Sequence, residues 1–169
     1  MFSICDILLI IMFICYIIPI KIVYNNYNDN YSISEMVTNE NIKYNIFIWS
    51  ILMGIFTVIY EFNRNYYSLL IIIFLLIGII GIIFTKVKKK FCYHHIFTFI
   101  VFSSINIFMI FHIYINSNNI LFVLFLLQIL LIILTIKNVK SKIFYYECLL
   151  LLNFFIFYIY LHFLNIFNQ

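Results

Sequence analysis

The chain has 169 residues, of which 66% are hydrophobic and 9% are charged, with a formal net charge of +4. An ordinary soluble domain is roughly half apolar and about 25% charged, and a globule of this size has too little interior to hide so much apolar surface. The composition therefore excludes a soluble globular protein and predicts an integral membrane protein. Because the basic residues flank apolar runs, they indicate contact with a membrane surface and no nucleic-acid partner.

Part of the composition reflects the genome. The chain contains no alanine, three glycines and one proline, and it is rich in Ile, Phe, Asn and Tyr. These residues have A/T-rich codons, which indicates an AT-rich genome. The high numbers of Asn and Tyr therefore do not by themselves indicate polar sites or aromatic belts.

Six apolar segments, each closed by polar residues, approach the length of about 20 residues that a spanning helix needs. The sequence predicts an all-α, multi-pass transmembrane bundle that forms a single domain over residues 1–169. The predicted helices are residues 4–20, 44–62, 66–85, 95–115, 120–136 and 143–166. The first is interpreted as a retained anchor, because it carries Asp6 and lacks a basic residue before the apolar run.

The charges of the loops predict the orientation. The loops after the first, third and fifth helices contain all nine lysines, and the opposite side contains Arg64 alone. The positive-inside rule then places these loops in the cytoplasm and both termini outside. Four of the lysines (Lys86, Lys88, Lys89 and Lys90) form a run that is suited to anionic lipid head groups. The sequon at Asn30 is a candidate glycosylation site, and it favours the opposite orientation.

The fourth predicted helix has the most polar residues inside an apolar segment. At 100° per residue, His95, Thr98, Ser103 and Asn106 fall in one sector of about 140°. We expect this stripe to face the interior of the bundle, with Gln128 of the fifth helix as the first partner. The stripe either joins helices by hydrogen bonds or lines a path for a solute or a proton.

The sixth predicted helix places Glu147, Tyr158 and His162 on one face, and Gln128 shares a face of the fifth helix with Thr135. Glu147 and His162 lie near opposite ends of their helix, so a single ligand cannot contact both. Each is interpreted as a residue that reaches water at its own interface.

No spacing in the chain is typical of a catalytic or metal site, and no cofactor is predicted. His112 and His162 fall at a similar depth, which leaves a haem site open as an alternative, but a second matched pair is missing. A zinc site would need a closer cluster of Cys and His. The four cysteines have no CxxC spacing and are interpreted as thiols in apolar surroundings.

A polar first loop that ends in Ser32-Ile33-Ser34-Glu35, followed by Asn45 and Gly54 in the next helix, resembles the six-helix membrane proteins of the DUF998 and Frag1/DRAM/Sfk1 families. Gly78 and Gly81 in the third helix, and a histidine that opens the fourth, fit the same layout. The resemblance implies a non-enzymatic membrane protein with a role in trafficking or lipid regulation. It also implies a first loop outside the cytoplasm, against the lysine count.

The Asp29-Asn30-Tyr31 and Ser34-Glu35 segments also resemble the first loop of alkaline ceramidases. Those enzymes use a zinc site of three histidines with an aspartate and a serine, and this chain has no Asp in its last five predicted helices. The sequence therefore favours a protein that acts by interaction or by organising lipid. A small transporter or channel that uses the stripe of the fourth helix is the alternative, followed by a lipid hydrolase or a haem protein.

Overall fold

A computed structural model of the chain describes residues 3–26, 32–85, 93–137 and 143–167. Over these residues 91% of the chain is helical and no strand is found, which confirms the prediction of an all-α protein. A 3₁₀ turn, Tyr66–Ser68, precedes the fourth of seven α-helices. The helices are α1 Ile4–Asn25, α2 Ile33–Met36, α3 Lys43–Arg64, α4 Leu69–Phe84, α5 Tyr93–Asn116, α6 Asn119–Lys137 and α7 Ile143–Phe167.

Five of the described helices (α1, α3, α5, α6 and α7) are long and apolar enough to cross a membrane. The third predicted span, 66–85, is instead divided into the 3₁₀ turn and the 16 residues of α4. A helix of that length rises only about 24 Å, which is less than the roughly 30 Å of a hydrocarbon core. The division occurs where the Ser68 hydroxyl donates to the Asn65 carbonyl oxygen at 2.7 Å.

The first helix is longer than the sequence predicted. Ser3 caps its start, because the Ser3 backbone N–H donates to the Asp6 carboxylate at 2.7 Å and the Asp6 N–H donates to the Ser3 hydroxyl at 3.2 Å. The helix then continues through Pro19 to Asn25. Proline is tolerated in apolar helices of membrane proteins, because other groups form hydrogen bonds with the backbone groups that proline leaves unpaired. The end predicted at residue 20 was therefore wrong, and Lys21 lies inside α1.

The contacts divide the chain into two compact units. The first unit contains residues 1–28 and 34–104, and the second contains 29–33 and 105–169. In the first unit α1 packs on α3, and α3 packs on α4. The start of α5 contacts α4 through Phe97 and Val101, which lie against Gly81 and Gly78. The single membrane domain stays a prediction.

In the second unit α6 packs along α7, and the end of α5 contacts α7 through aromatic side chains. Only Ser117 and Asn118 separate α5 from α6. Ser117 has a φ of 47°, in the left-handed region that a non-glycine residue seldom adopts. The Asn118 side chain then accepts hydrogen bonds from the backbone N–H groups of Ile120 and Leu121. This cap starts α6 as soon as α5 has ended.

The close approach of α5 to α4 depends on the absence of a side chain at Gly81. A Cβ atom there would lie 2.2 Å from Cδ1 of the Phe97 ring, whereas a Cβ at Gly54 would meet the flexible end of Leu76 at 2.7 Å. We expect Gly81→Ala to destabilise the protein by about 1–3 kcal/mol, as overpacking does. Gly54→Ala should be close to neutral, because Leu76 can turn away and alanine favours the helix by about 1 kcal/mol.

The measurement is the free energy of unfolding of both variants in detergent micelles. The Gly54→Ala variant is the matched control, because it makes the same chemical change on a helix that packs in the same unit. Equal stability of the two variants would contradict a rigid α4–α5 contact.

Candidate functional site

The buried face of α5 differs from the one that the sequence predicted. His95 is exposed, whereas His94 is 2% exposed. The buried residues of α5 are His94, Val101, Ser104, Ile105, Phe108, Met109 and His112. At 100° per residue, His95 points about 100° away from His94. The prediction that His95 faces the interior was therefore wrong, because the bulky apolar residues set the buried face.

The other members of the predicted stripe are half-buried. Thr98 donates from its hydroxyl to the His94 carbonyl oxygen, one turn earlier in its own helix, at 2.8 Å. Ser103 lies about 180° from the direction of His94. Ser103 belongs to the first unit and Asn106 to the second.

The second unit holds a buried pair of amides between α6 and α7. The Nδ2 atom of Asn153 donates to Oε1 of Gln128 at 2.8 Å and to the Leu124 carbonyl oxygen at 3.0 Å. Gln128 is 0% exposed and Asn153 is 3% exposed. The sequence selected Gln128 but paired it with the α5 stripe, and it missed Asn153. The feature that indicates Asn153 is an amide inside an apolar run. It is hard to distinguish in this chain because Asn is abundant throughout the sequence.

A cluster of aromatic rings in the same unit includes the His112 ring. The ring centroid of Phe108 lies 4.4 Å from that of His112 and 5.5 Å from that of Tyr158, and the last two planes are nearly parallel, at 12°. Phe154 contacts Phe108 edge-on at 5.8 Å. These rings pack α5 against α7. Each such aromatic pair contributes about 0.5–1.5 kcal/mol to stability, in addition to the contribution of the apolar area that it buries.

The ionisable residues of α7 are more enclosed than the sequence suggested. Glu147 and His162 are buried, at 8% and 4% exposure. The interpretation that each reaches water at an interface was therefore wrong. Glu147 accepts a hydrogen bond of 2.5 Å from the backbone N–H of Ile33, a residue of the polar first loop that belongs to the same unit. A carboxylate that accepts from a backbone N–H forms one of the stronger hydrogen bonds of a protein.

The first unit has a buried ion pair that the sequence analysis did not identify. The Nη2 atom of Arg64 lies 2.7 Å from Oε1 of Glu61, and their side chains are 7% and 0% exposed. The Ser68 hydroxyl also donates to the Glu61 carboxylate. The Arg64 guanidinium lies 5.4 Å from the centroid of the Tyr60 ring. The signal was Glu and Arg three residues apart at the end of an apolar run, where one helix face brings them together.

These clusters can join helices through hydrogen bonds and an ion pair, but the described residues in them do not form a metal-binding site. Within the ranges that the structure describes, no group of three or more His, Cys, Asp or Glu side chains is close enough to hold a metal ion. His112 and His162 both lie in the second unit, and the haem alternative rests on them alone. Asn30 and the lysine run at residues 86–90 lie outside the described residues.

Comparisons with protein-family models, with curated proteins and with solved structures find no match for this chain. The resemblance to the DUF998 and Frag1/DRAM/Sfk1 families therefore stays a prediction.

The Glu61–Arg64 pair predicts a large stability effect when one partner is removed. We expect Glu61→Gln to destabilise the protein by about 3–5 kcal/mol, because it leaves the buried guanidinium without its counter-charge. Replacing both residues, as in Glu61→Met with Arg64→Met, should recover most of this loss, because no buried charge remains. The measurement is the free energy of unfolding in detergent micelles.

Glu40 and Lys43 provide the matched control, because they form an ion pair at the same spacing but the Glu40 side chain is 64% exposed. Glu40→Gln should change the stability by less than about 1 kcal/mol, as expected of a surface pair. If Glu61→Gln has as small an effect as Glu40→Gln, the buried pair does not stabilise the first unit.

Proposed function

We propose that this chain is a multi-pass membrane protein that works by interaction, contacting lipids and organising them around its helices, with no reaction of its own. Its orientation, with the lysine-rich loops in the cytoplasm, is part of the proposal.

The distribution of apolar side chains supports a lipid environment. Large apolar residues are exposed on every one of the long helices, for example Phe99 at 72%, Phe62 at 70% and Val123 at 61%. In water an apolar surface of this extent would cause aggregation. In hydrocarbon it carries no such penalty, because lipid tails are as apolar as the side chains that meet them.

The observation that carries the proposal is that polar side chains of the long helices bond to neighbouring protein groups. Asn153 bonds Gln128 across α6 and α7, and Ser68 bonds Glu61 beside α3. Three threonines, Thr57, Thr98 and Thr135, each donate to the carbonyl oxygen one turn earlier in their own helix. The Asn153–Gln128 bond joins two helices, and each threonine bond satisfies a hydroxyl within its own helix. They favour a scaffold over a catalytic centre.

Transport is a second candidate function, and the burial of polar groups in the second unit favours it. Glu147, Gln128, Asn153, His112 and His162 are all buried there. Ionisable residues inside membrane segments are often parts of ion or proton paths. The two candidates differ in one measurable property, because only a transporter moves a solute or a proton across a sealed vesicle.

The lipid proposal predicts a preference for anionic lipid near the lysine run. In vesicles that contain the purified protein and trace spin-labelled lipid, we expect a larger motionally restricted fraction for phosphatidylserine than for phosphatidylcholine. Replacing Lys86, Lys88, Lys89 and Lys90 with Gln should remove most of this preference, because each basic residue near the surface contributes about 1 kcal/mol. Electron paramagnetic resonance measures the restricted fraction.

The control is the variant with arginine at the same four positions, which keeps the charge and should keep the preference. Equal restricted fractions for the two lipids would contradict the proposal. A proton or solute flux in the same vesicles that Gln128→Leu abolishes would establish transport instead.

A further inference from the structure

The amide pair of the second unit has hydrogen-bonding capacity that the protein does not use. Nε2 of Gln128 and Oδ1 of Asn153 are buried, and neither has a hydrogen-bond partner among the residues that the structure describes. An unpaired amide group in an apolar interior costs about 1–3 kcal/mol. The pair therefore leaves one donor and one acceptor without a bond. Each of them lowers the stability of the protein unless another molecule bonds to it.

The orientation of both amides follows from the neighbouring backbone. The Leu124 carbonyl oxygen accepts a hydrogen bond at 3.0 Å, so the atom of Asn153 that faces it must be the donor Nδ2. The same Nδ2 lies 2.8 Å from Gln128, so the atom of Gln128 that it meets must be the acceptor Oε1. Turning either amide would place two oxygens or two NH₂ groups against each other. The free atoms are thus a donor on Gln128 and an acceptor on Asn153.

The two free atoms lie within about 7 Å of each other, because each belongs to an amide whose nitrogen and oxygen are about 2.2 Å apart and the two amides are joined by the 2.8 Å hydrogen bond. A ligand that bonds to both atoms must be small and must both accept and donate. A neutral ligand is favoured, because the groups that bond within the pair are neutral amides and a backbone carbonyl and an isolated ion would be costly to bury.

The position of the pair along its helices adds a second observation. Gln128 is nine residues from either end of α6, Asn119–Lys137, so it lies about 14 Å from each end. Asn153 lies close to the centre of the spanning part of α7, Ile143–Leu164. A hydrocarbon core is about 30 Å thick. The amide pair therefore lies near the middle of the two spans. At this depth the surrounding lipid contains no bulk water.

We propose that Gln128 and Asn153 form a binding site for one uncharged molecule of the size of water, near the middle of the membrane. The Gln128 Nε2 group donates to this molecule, and the molecule donates to Asn153 Oδ1. Buried waters in proteins make 2–4 hydrogen bonds to polar groups that are otherwise unsatisfied, and this pair supplies two. This proposal is independent of the lipid proposal. If the protein is a transporter, the site would be a polar position in the middle of its path.

The chain allows a direct test, because it contains two glutamines, Gln128 and Gln169. Protein labelled with ¹⁵N in the glutamine side-chain amide and reconstituted in deuterated lipid gives two NH₂ signals, which Gln169→Glu assigns. The experiment measures the transfer of magnetisation from water to each NH₂ group. We expect transfer to Gln128 in the unmodified protein and its loss in Asn153→Leu, which removes the acceptor.

The variant Asn153→Ser keeps a small acceptor, and transfer to Gln128 should persist in it, which also covers the case in which Asn153→Leu fails to fold. Absence of transfer to Gln128, in a sample whose Gln169 signal does receive it, would show that the pair is dry and would overturn the proposal. Transfer that persists unchanged in a folded Asn153→Leu variant would also overturn it, because Asn153 would then hold no part of the site.

Discussion

In hydrocarbon a polar group without a partner is costly, because no bulk water is present to supply one. The Asn153–Gln128 hydrogen bond is the clearest product of this constraint. It joins the middle of α6 to the middle of α7, at a place where each amide alone would be costly. The aromatic contacts of Phe108 with Tyr158 and Phe154 then pack α5 onto the same helix. The packing of the second unit follows from one polar contact and the rings near it.

The first unit satisfies the same constraint differently. The Glu61 carboxylate, which is fully buried, has both a cation, Arg64, and a hydroxyl, Ser68, as neighbours. The residues that follow Arg64 form a 3₁₀ turn before α4 begins. A buried charge that keeps its counter-charge and a hydrogen bond is tolerated, whereas a charge that has lost its partner is strongly destabilising. This cluster therefore fixes the turn between α3 and α4 as much as it stabilises either helix.

Small residues and apolar side chains supply the remaining contacts. Gly81 allows the Phe97 ring to lie against the backbone of α4, at a distance that a Cβ atom would exclude. Hydrophobic attraction between helices is weak in lipid, so close packing and interhelical hydrogen bonds must supply the association. The exposed faces of the helices do not need close packing or interhelical hydrogen bonds. They therefore carry mainly Ile, Leu and Phe, in no regular order.

The sequence by itself determined the all-helical class and most helix boundaries, because apolar runs of spanning length admit few other structures. It also selected Gln128 as a polar residue that must be buried. Its partner Asn153, the Glu61–Arg64 pair and the exposure of His95 were decided by the tertiary structure. A helix that is apolar on every side gives no periodic signal for its buried face. Which polar residues meet therefore depends on how neighbouring helices pack, and a single sequence does not encode that in any local pattern.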